Sequence, residues 1–317
     1  MTLPNATRAT AFAAPGKIVV ATDLSDTDYL LQHAIAQART SGASLILVHA
    51  VPPHESMPVE SGAVPYYDPL RMDRDARLML ENLARDVREQ GIECALAVRH
   101  GYVPDVIAEV VANVGAGRLI LGTHGRRGLK KFVLGSVARQ LLEIVDIPVC
   151  TVGPRAHQGA KGAPQVILHP VSLAGLHENS AELSMSLGKQ FGARVVLLHV
   201  MAAGPQSARD PQKAVAAATE ALNRLVPEWA RPWTTVQAKV AGAAVVSEIL
   251  SVAHETDAGL IVLGVHAPAH SWLPGTEPAA YKILVSAPCP VLSLRVDSLP
   301  SAEKAERKQE SSPLAIG

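Results

Sequence analysis

Arg118–Ser136 reads RLILGTHGRRGLKKFVLGS. An apolar run, RLILG, breaks at Gly122-Thr123-His124-Gly125. After the nine residues Arg126–Leu134 comes Gly135-Ser136, and Ser136–Val145 reads as a helix. A short apolar run bounded by glycine is a buried strand. A strand that enters a glycine-rich loop, which in turn opens a helix, is the local grammar of a parallel α/β sheet.

Working outward, the same alternation continues on both sides. Lys17–Asp23 (KIVVATD) is a β-branched run and reads as strand one. Asp26 to about Ser41 carries Tyr29, Leu30, Ala34, Ile35 and Ala38 at helical spacing, and Gly42 stops it. SLILVHAV is strand two. The proline-rich stretch after it, through PPHESMPVESGAVPYYDPL, reads as an irregular loop. Asp73–Gln90 places Ala76, Leu80, Leu83 and Val87 on one helix face. ECALAVRH is strand three, Pro104 opens a helix through Val114, and PVCTV after the glycine segment is strand five.

The pattern then repeats in order. LILVHAV (Leu45–Val51) recurs as VVLLHVM (Val195–Met201), RLILGTHG as LIVLGVHA (Leu260–Ala267), and DIPVCTV as APCPVLSL (Ala287–Leu294). A repeat of this length is a domain duplication. The expected layout is residues 1–153, a linker at 154–165, a second domain at 166–296 and a polar, disordered tail at 297–317. Each domain is expected to be a doubly wound, five-stranded parallel open sheet with helices on both faces. Ligands of such sheets bind outside the carboxyl ends of the strands.

Composition agrees. Of 317 residues 48% are hydrophobic but only 3% aromatic, so the cores must be aliphatic, as in sheets covered on both faces. Lys plus Arg balances Asp plus Glu at 29 each, which leaves no electrostatic footprint for nucleic acid or anionic lipid. Cys94, Cys150 and Cys289 form no CxxC and suggest neither disulfide nor zinc. No stretch reaches the roughly 18 apolar residues of a membrane span, and MTLPNATRATAFAAPGK lacks a signal-peptide core. The expectation is a cytoplasmic protein.

The chemistry gathers at strand ends. Strand one ends in Ala21-Thr22-Asp23, strand two in His49-Ala50, strand four in the glycine segment. Glycines bring backbone N–H groups close to an anion, and a helix start adds unpaired N–H groups and the positive dipole end. Ser136 can cap that helix and offer a hydroxyl to a phosphate oxygen. Arg126, Arg127, Lys130 and Lys131 can offset phosphate charge, and Asp23 can accept from sugar hydroxyls.

ATDLS, the strand ending in VHAV, and GTHGRRGLKKFVLGSVARQLL followed by IPVCTV resemble the universal stress protein family. The resemblance covers about residues 16–296. It implies ATP, with or without Mg, one per chain in the first domain. Asp23 would lie near ribose and adenine, Ala50 near adenine and Gly122 near ribose, with Ala21 and Thr22 completing the strand end. His124, Gly125, Gly135, Ser136 and Val137 would lie near the phosphates. Family domains pair through their last strand, here PVCTV and PVLSL, so an intramolecular pseudo-dimer is implied, with a further homodimer open.

The second copy departs where it matters. Val171 is the expected counterpart of Asp23, so the carboxylate is missing. Gly264 and His266 persist, but Ala267 replaces the second glycine, and the loop shortens to Pro268–Pro274 before Gly275-Thr276, without Lys or Arg. Pairing with the first copy is its expected role.

His49 and His199 read as structural strand-end residues, and His54, His157, His169 and His270 as scattered and unpartnered. His124 reads either as a phosphate contact or as a plain loop residue. Trp229 and Trp233 are expected to cover the core. No Walker GxxxxGK[ST] and no second carboxylate beside Asp23 is evident, so no enzyme is expected. The reading is an ATP-binding regulatory, stress-response protein. A nucleotide-free scaffold for other ligands or proteins, and a slow ATPase, stay open as alternatives.

Overall fold

A computed structural model describes residues 12–25, 27–53, 68–123, 134–153, 155–156, 162–173, 178–202, 204, 210–242, 244–265 and 279–295. The linker expected at 154–165 is described only in part, and the tail at 297–317 lies outside these residues.

The first half runs β1 (Lys17–Ala21), α1 (Thr27–Ser41), β2 (Ser44–Val51), α2 (Pro69–Glu89), β3 (Cys94–His100), α3 (Val103–Val114), β4 (Arg118–Gly122), α4 (Ser136–Ile144) and β5 (Val149–Val152). The second runs β6 (Val166–Pro170), α5 (Glu178–Phe191), β7 (Arg194–Met201), α6 (Pro211–Arg224), a 3-10 turn (Glu228–Trp233), β8 (Thr234–Val240), α7 (Val245–Glu255), β9 (Leu260–Val265), α8 (Ala279–Ser286) and β10 (Val291–Arg295).

All ten strands form one sheet in the order β3-β2-β1-β4-β5-β10-β9-β6-β7-β8. Pairing is parallel within each half. At the seam β5 and β10 run antiparallel, with Cys150 opposite Leu292. Alternate strand residues feed two cores. Ile18, Val20, Leu45 and Leu47 face α1, α2, α5 and α6, and Val19, Ala21, Ile46 and Val48 face α3, α4, α7 and α8. Each core is continuous across the seam, because the sheet that floors it is continuous.

Three local readings are corrected. Helix α2 begins at Pro69, four residues before Asp73, because the Asp68 side chain accepts from the N–H groups of Leu70 and Arg71 (both 3.1 Å) and proline fits the first turn. His169 is not unpartnered: it is buried, with Nδ1 2.8 Å from the Val262 carbonyl and Nε2 3.3 Å from Ser180 Oγ. Of the tryptophans, Trp233 packs on the core and donates to the Met185 carbonyl (3.2 Å), whereas Trp229 stays exposed beside it. His54, His157 and His270 lie outside the described residues.

Arg118, at the amino end of β4, is buried. It donates to Gln37 Oε1 (2.8 Å) and to the Phe12 and Ala13 carbonyls (2.7 and 3.2 Å), which ties the segment just before β1 to the sheet. The three cysteines are buried free thiols, and burial pushes the Cys94 thiol up to about 11.

Candidate functional site

The strand-end residues of the first half meet at one edge of the sheet. Beyond β1 the chain turns sharply, with Leu24 at φ 69°. Two side chains make that turn: Thr22 Oγ1 accepts from the Leu24 N–H (2.9 Å), and Asp23 Oδ1 accepts from the N–H (2.9 Å) and hydroxyl (2.6 Å) of Ser25. These short local bonds are what Asp, Ser and Thr offer the backbone at turns. Half-buried Asp23 is thereby held in one orientation at the carboxyl end of β1.

The Thr22 N–H extends the ladder to the Val48 carbonyl (3.0 Å), and the Thr22 carbonyl lies 2.9 Å from His49 Nδ1. His49 thus locks strand end one to strand end two. Next to it Ala50 is buried. A small side chain at this place leaves room that a larger one would fill.

Gly122 closes β4. Thr123 then clamps the chain at two points: its N–H donates to the Val152 carbonyl (3.0 Å) and its carbonyl accepts from the Gly135 N–H (2.9 Å). The second bond returns the chain to the sheet edge and sets the start of α4 beside Gly122. Thr123 had no role in the sequence reading, although it sits inside the glycine segment. Gly135, not Ser136, is the N-cap residue of α4, and no side chain caps the helix. Ser136 is already helical and exposed, so its hydroxyl is not spent on the helix's own N–H groups, which corrects the expected capping role. Val137 lies half-buried in the first turn. His124, Gly125 and the basic residues Arg126, Arg127, Lys130 and Lys131 lie outside the described residues.

Helix α4 also reaches the second half. The Arg139 guanidinium stands 5.6 Å from the centre of the Tyr281 ring on α8. The Tyr281 hydroxyl donates to Glu143 Oε1 (3.4 Å), and Arg295 of β10 donates to the Glu143 carbonyl (2.8 Å) and to Asp146 Oδ1 (3.2 Å). Burial first, and the Glu143 carboxylate second, push the Tyr281 phenol up to about 12.

In the second half the corresponding edge keeps the frame and, among the described residues, lacks the carboxylate. The Val171 N–H donates to the Leu198 carbonyl (2.8 Å) and the Val171 carbonyl lies 2.7 Å from His199 Nδ1. Those are the bonds that Thr22 makes. Val171 is therefore the counterpart of Thr22, and the residue in the place of Asp23 is Ser172, which corrects the expected match. The carboxylate is absent either way. Gly264 matches Gly122, and buried Val265 matches Thr123. His266–Thr276 lie outside the described residues.

Among the described residues no group of three His, Cys, Asp or Glu side chains is arranged to hold a metal ion. No described helix is long and apolar enough to cross a membrane.

Known proteins share this fold. The model of the universal stress protein family matches residues 15–153 and 166–295, one match in each half. A universal stress protein of Synechocystis sp. is 28% identical over 155 residues, covering 43% of this chain and 97% of its own length. The structure of a universal stress protein from Archaeoglobus fulgidus, 16% identical, covers 89% of this chain and 98% of its own with a TM-score of 0.66. Another from Archaeoglobus fulgidus, solved in complex with dAMP, is 24% identical, covers 43% of this chain and 95% of its own, and has a TM-score of 0.32.

Proposed function

The chain belongs to the universal stress protein family, with two copies of the family domain in tandem, and from that premise we propose that it is an ATP-binding regulatory protein. The first domain, to residue 153, holds the nucleotide, and the second, from 166 to 296, serves as its pairing partner across β5 and β10. One observation carries this reading. The Gly135 N–H bond to the Thr123 carbonyl brings the uncapped start of α4 to the edge where Asp23, Ala50 and Gly122 already stand.

Each part has a task there. Asp23 accepts from ribose hydroxyls, and Ala21, Thr22 and Ala50 make room for the adenine. Gly122 lets the sugar approach the backbone. The first N–H groups of α4, around Gly135, Ser136 and Val137, together with the Ser136 hydroxyl and the loop bearing His124 and Gly125, receive the phosphates. A magnesium ion that accompanies ATP would be carried by the phosphates, since the described residues offer no cluster to hold it. Ser172 gives the second half no carboxylate in the place of Asp23. Binding at one site, rather than turnover, is the function that fits.

The test is to purify the chain without added nucleotide, denature it, and identify the released small molecules by mass spectrometry. Adenine nucleotide near one per chain, absent from a Gly135→Trp preparation that still folds, is the expected result. A chain that releases none, and takes up none when soaked in millimolar ATP, would overturn the reading.

A further inference from the structure

Two strands end the sheet, β3 at the first-half edge and β8 at the second-half edge. In a parallel pair each residue turns its N–H and its carbonyl to one side, and the side alternates along the strand. The Gly101 N–H bonds the Val51 carbonyl, and the Ala241 N–H bonds that of Met201. These two bonds set the alternation. Cys94, Leu96, Val98 and His100 of β3 therefore turn their main-chain groups outward, as do Thr234, Val236, Ala238 and Val240 of β8.

The duplication shows that the two edges are treated differently. On β3 two outward carbonyls are covered: Arg88 donates to that of Cys94 (2.9 and 2.6 Å), and Arg99 to that of Val98 (3.1 Å). An edge covered in this way resists pairing with another chain. The turn bonds after α2 and α6 match Arg88 with Asn223, and the strand registers match Cys94 with Thr234 and Arg99 with Lys239. Asn223 is exposed and makes no such bond. Lys239 gives its amine to Glu248 and Glu255 of α7, both at 3.2 Å. No described residue bonds the outward groups of β8. On the same framework, one edge is blunted and the other is left open.

The open edge is also self-complementary. Set antiparallel to a second β8 about an axis through Gln237, Val236 meets Ala238 of the other copy and Thr234 meets Val240. Every outward main-chain group then has a partner. On the face toward α7, Thr235 meets Lys239 and Gln237 meets Gln237, so no like charges stand opposed. On the other face Val236 and Ala238 already pack on the core shared by α5 and α6, and pairing would continue that core into the second copy. The chain makes one joint of this kind within itself, where β5 and β10 pair antiparallel and both cores cross the seam.

We infer that β8 is a homodimer interface, at which two copies of the chain join edge to edge, antiparallel, into one continuous sheet. The interface is isologous, so it closes at two copies. It uses none of the residues assigned to the nucleotide and stands whether or not the first domain binds ATP.

Sedimentation velocity on the full chain, without nucleotide and at concentrations up to millimolar, should show a monomer–dimer equilibrium. Ala238→Pro removes one outward N–H and spares the bonds to β7, as proline does on an edge strand. It should weaken dimerisation about tenfold or more, because each dimer loses two main-chain bonds, while the melting temperature stays near wild type. The register has its own test, which decides alone if that variant does not fold. Gln237 would face its copy in a non-hydrogen-bonded pair, with Cα atoms about 4.5 Å apart and within reach of a disulfide. Gln237→Cys should therefore give a covalent dimer in glutathione disulfide, whereas Thr235→Cys, opposite Lys239, should give little; the native thiols are buried. A chain that stays monomeric at millimolar concentration, a dimer that Ala238→Pro leaves intact, or cross-linking no greater from Gln237→Cys than from Thr235→Cys would overturn the inference.

Discussion

Asp23 is oriented by its neighbour: Ser25 gives its N–H and its hydroxyl to the same carboxylate oxygen. The second half, with Ser172 in this place, suggests the informative substitution. Asp23→Ser should keep the fold and lower ATP affinity about 10- to 100-fold in a calorimetric titration, the loss of one or two hydrogen bonds to a charged acceptor. Tyr281 offers a second check at this scale. Burial and Glu143 raise its ionisation from 10.0 to about 12, so the folded chain keeps a proton that the unfolded chain gives up. Its contribution to stability is complete below pH 10 and is lost as pH rises through 12. An absorbance titration should show a late tyrosinate component near 12 that Tyr281→Phe removes. The place of Asp23 at a strand end was legible in the sequence. Its counterpart was not, because the apolar runs IVV and VIL can be matched in two registers one residue apart. Only the cross-strand bonds of Thr22 and Val171 choose between them.

Among the elements of the first half, the strands and helices were legible because an aliphatic sheet buried on both faces writes near-continuous runs of Val, Ile and Leu between glycine stops. Failures lie at the ends. The residues before α2 carry prolines and little periodicity, so the segment read as loop through Leu70, yet Asp68 and Pro69 are a helix start. The cap can be weighed: Asp68→Ala should lower stability in urea by about 1 kcal/mol without moving the denaturant slope. Gly188 on α5 was equally silent. A Cβ there would run into Val195 and come within 3.1 Å of Trp233, so Gly188→Ala should lower the melting temperature although alanine is the better helix former. At α4 the strand–glycine–helix order was plain, but that Gly135 rather than Ser136 takes the cap depends on the Thr123 bond, which no local pattern announces.

At the scale of the whole molecule, one ten-stranded sheet floors two cores that both cross the seam. Halves so joined should unfold together, and a calorimetric scan should show a single cooperative transition, whereas two separable transitions would mean that the halves are independent. If the proposed site is filled, the same joining would give nucleotide binding a route outward, since α4 starts at the proposed phosphate site and ends against Tyr281 and Arg295 of the other half. Two related domains, one with Asp23 and one with Ser172 in its place, should bind one nucleotide between them. The measurement that tests this most directly is the stoichiometry of ATP binding to the full chain by isothermal titration calorimetry, with Gly135→Trp as the control. One ATP per chain, abolished by the substitution, is the predicted result. Two per chain, or binding that survives Gly135→Trp, would contradict it.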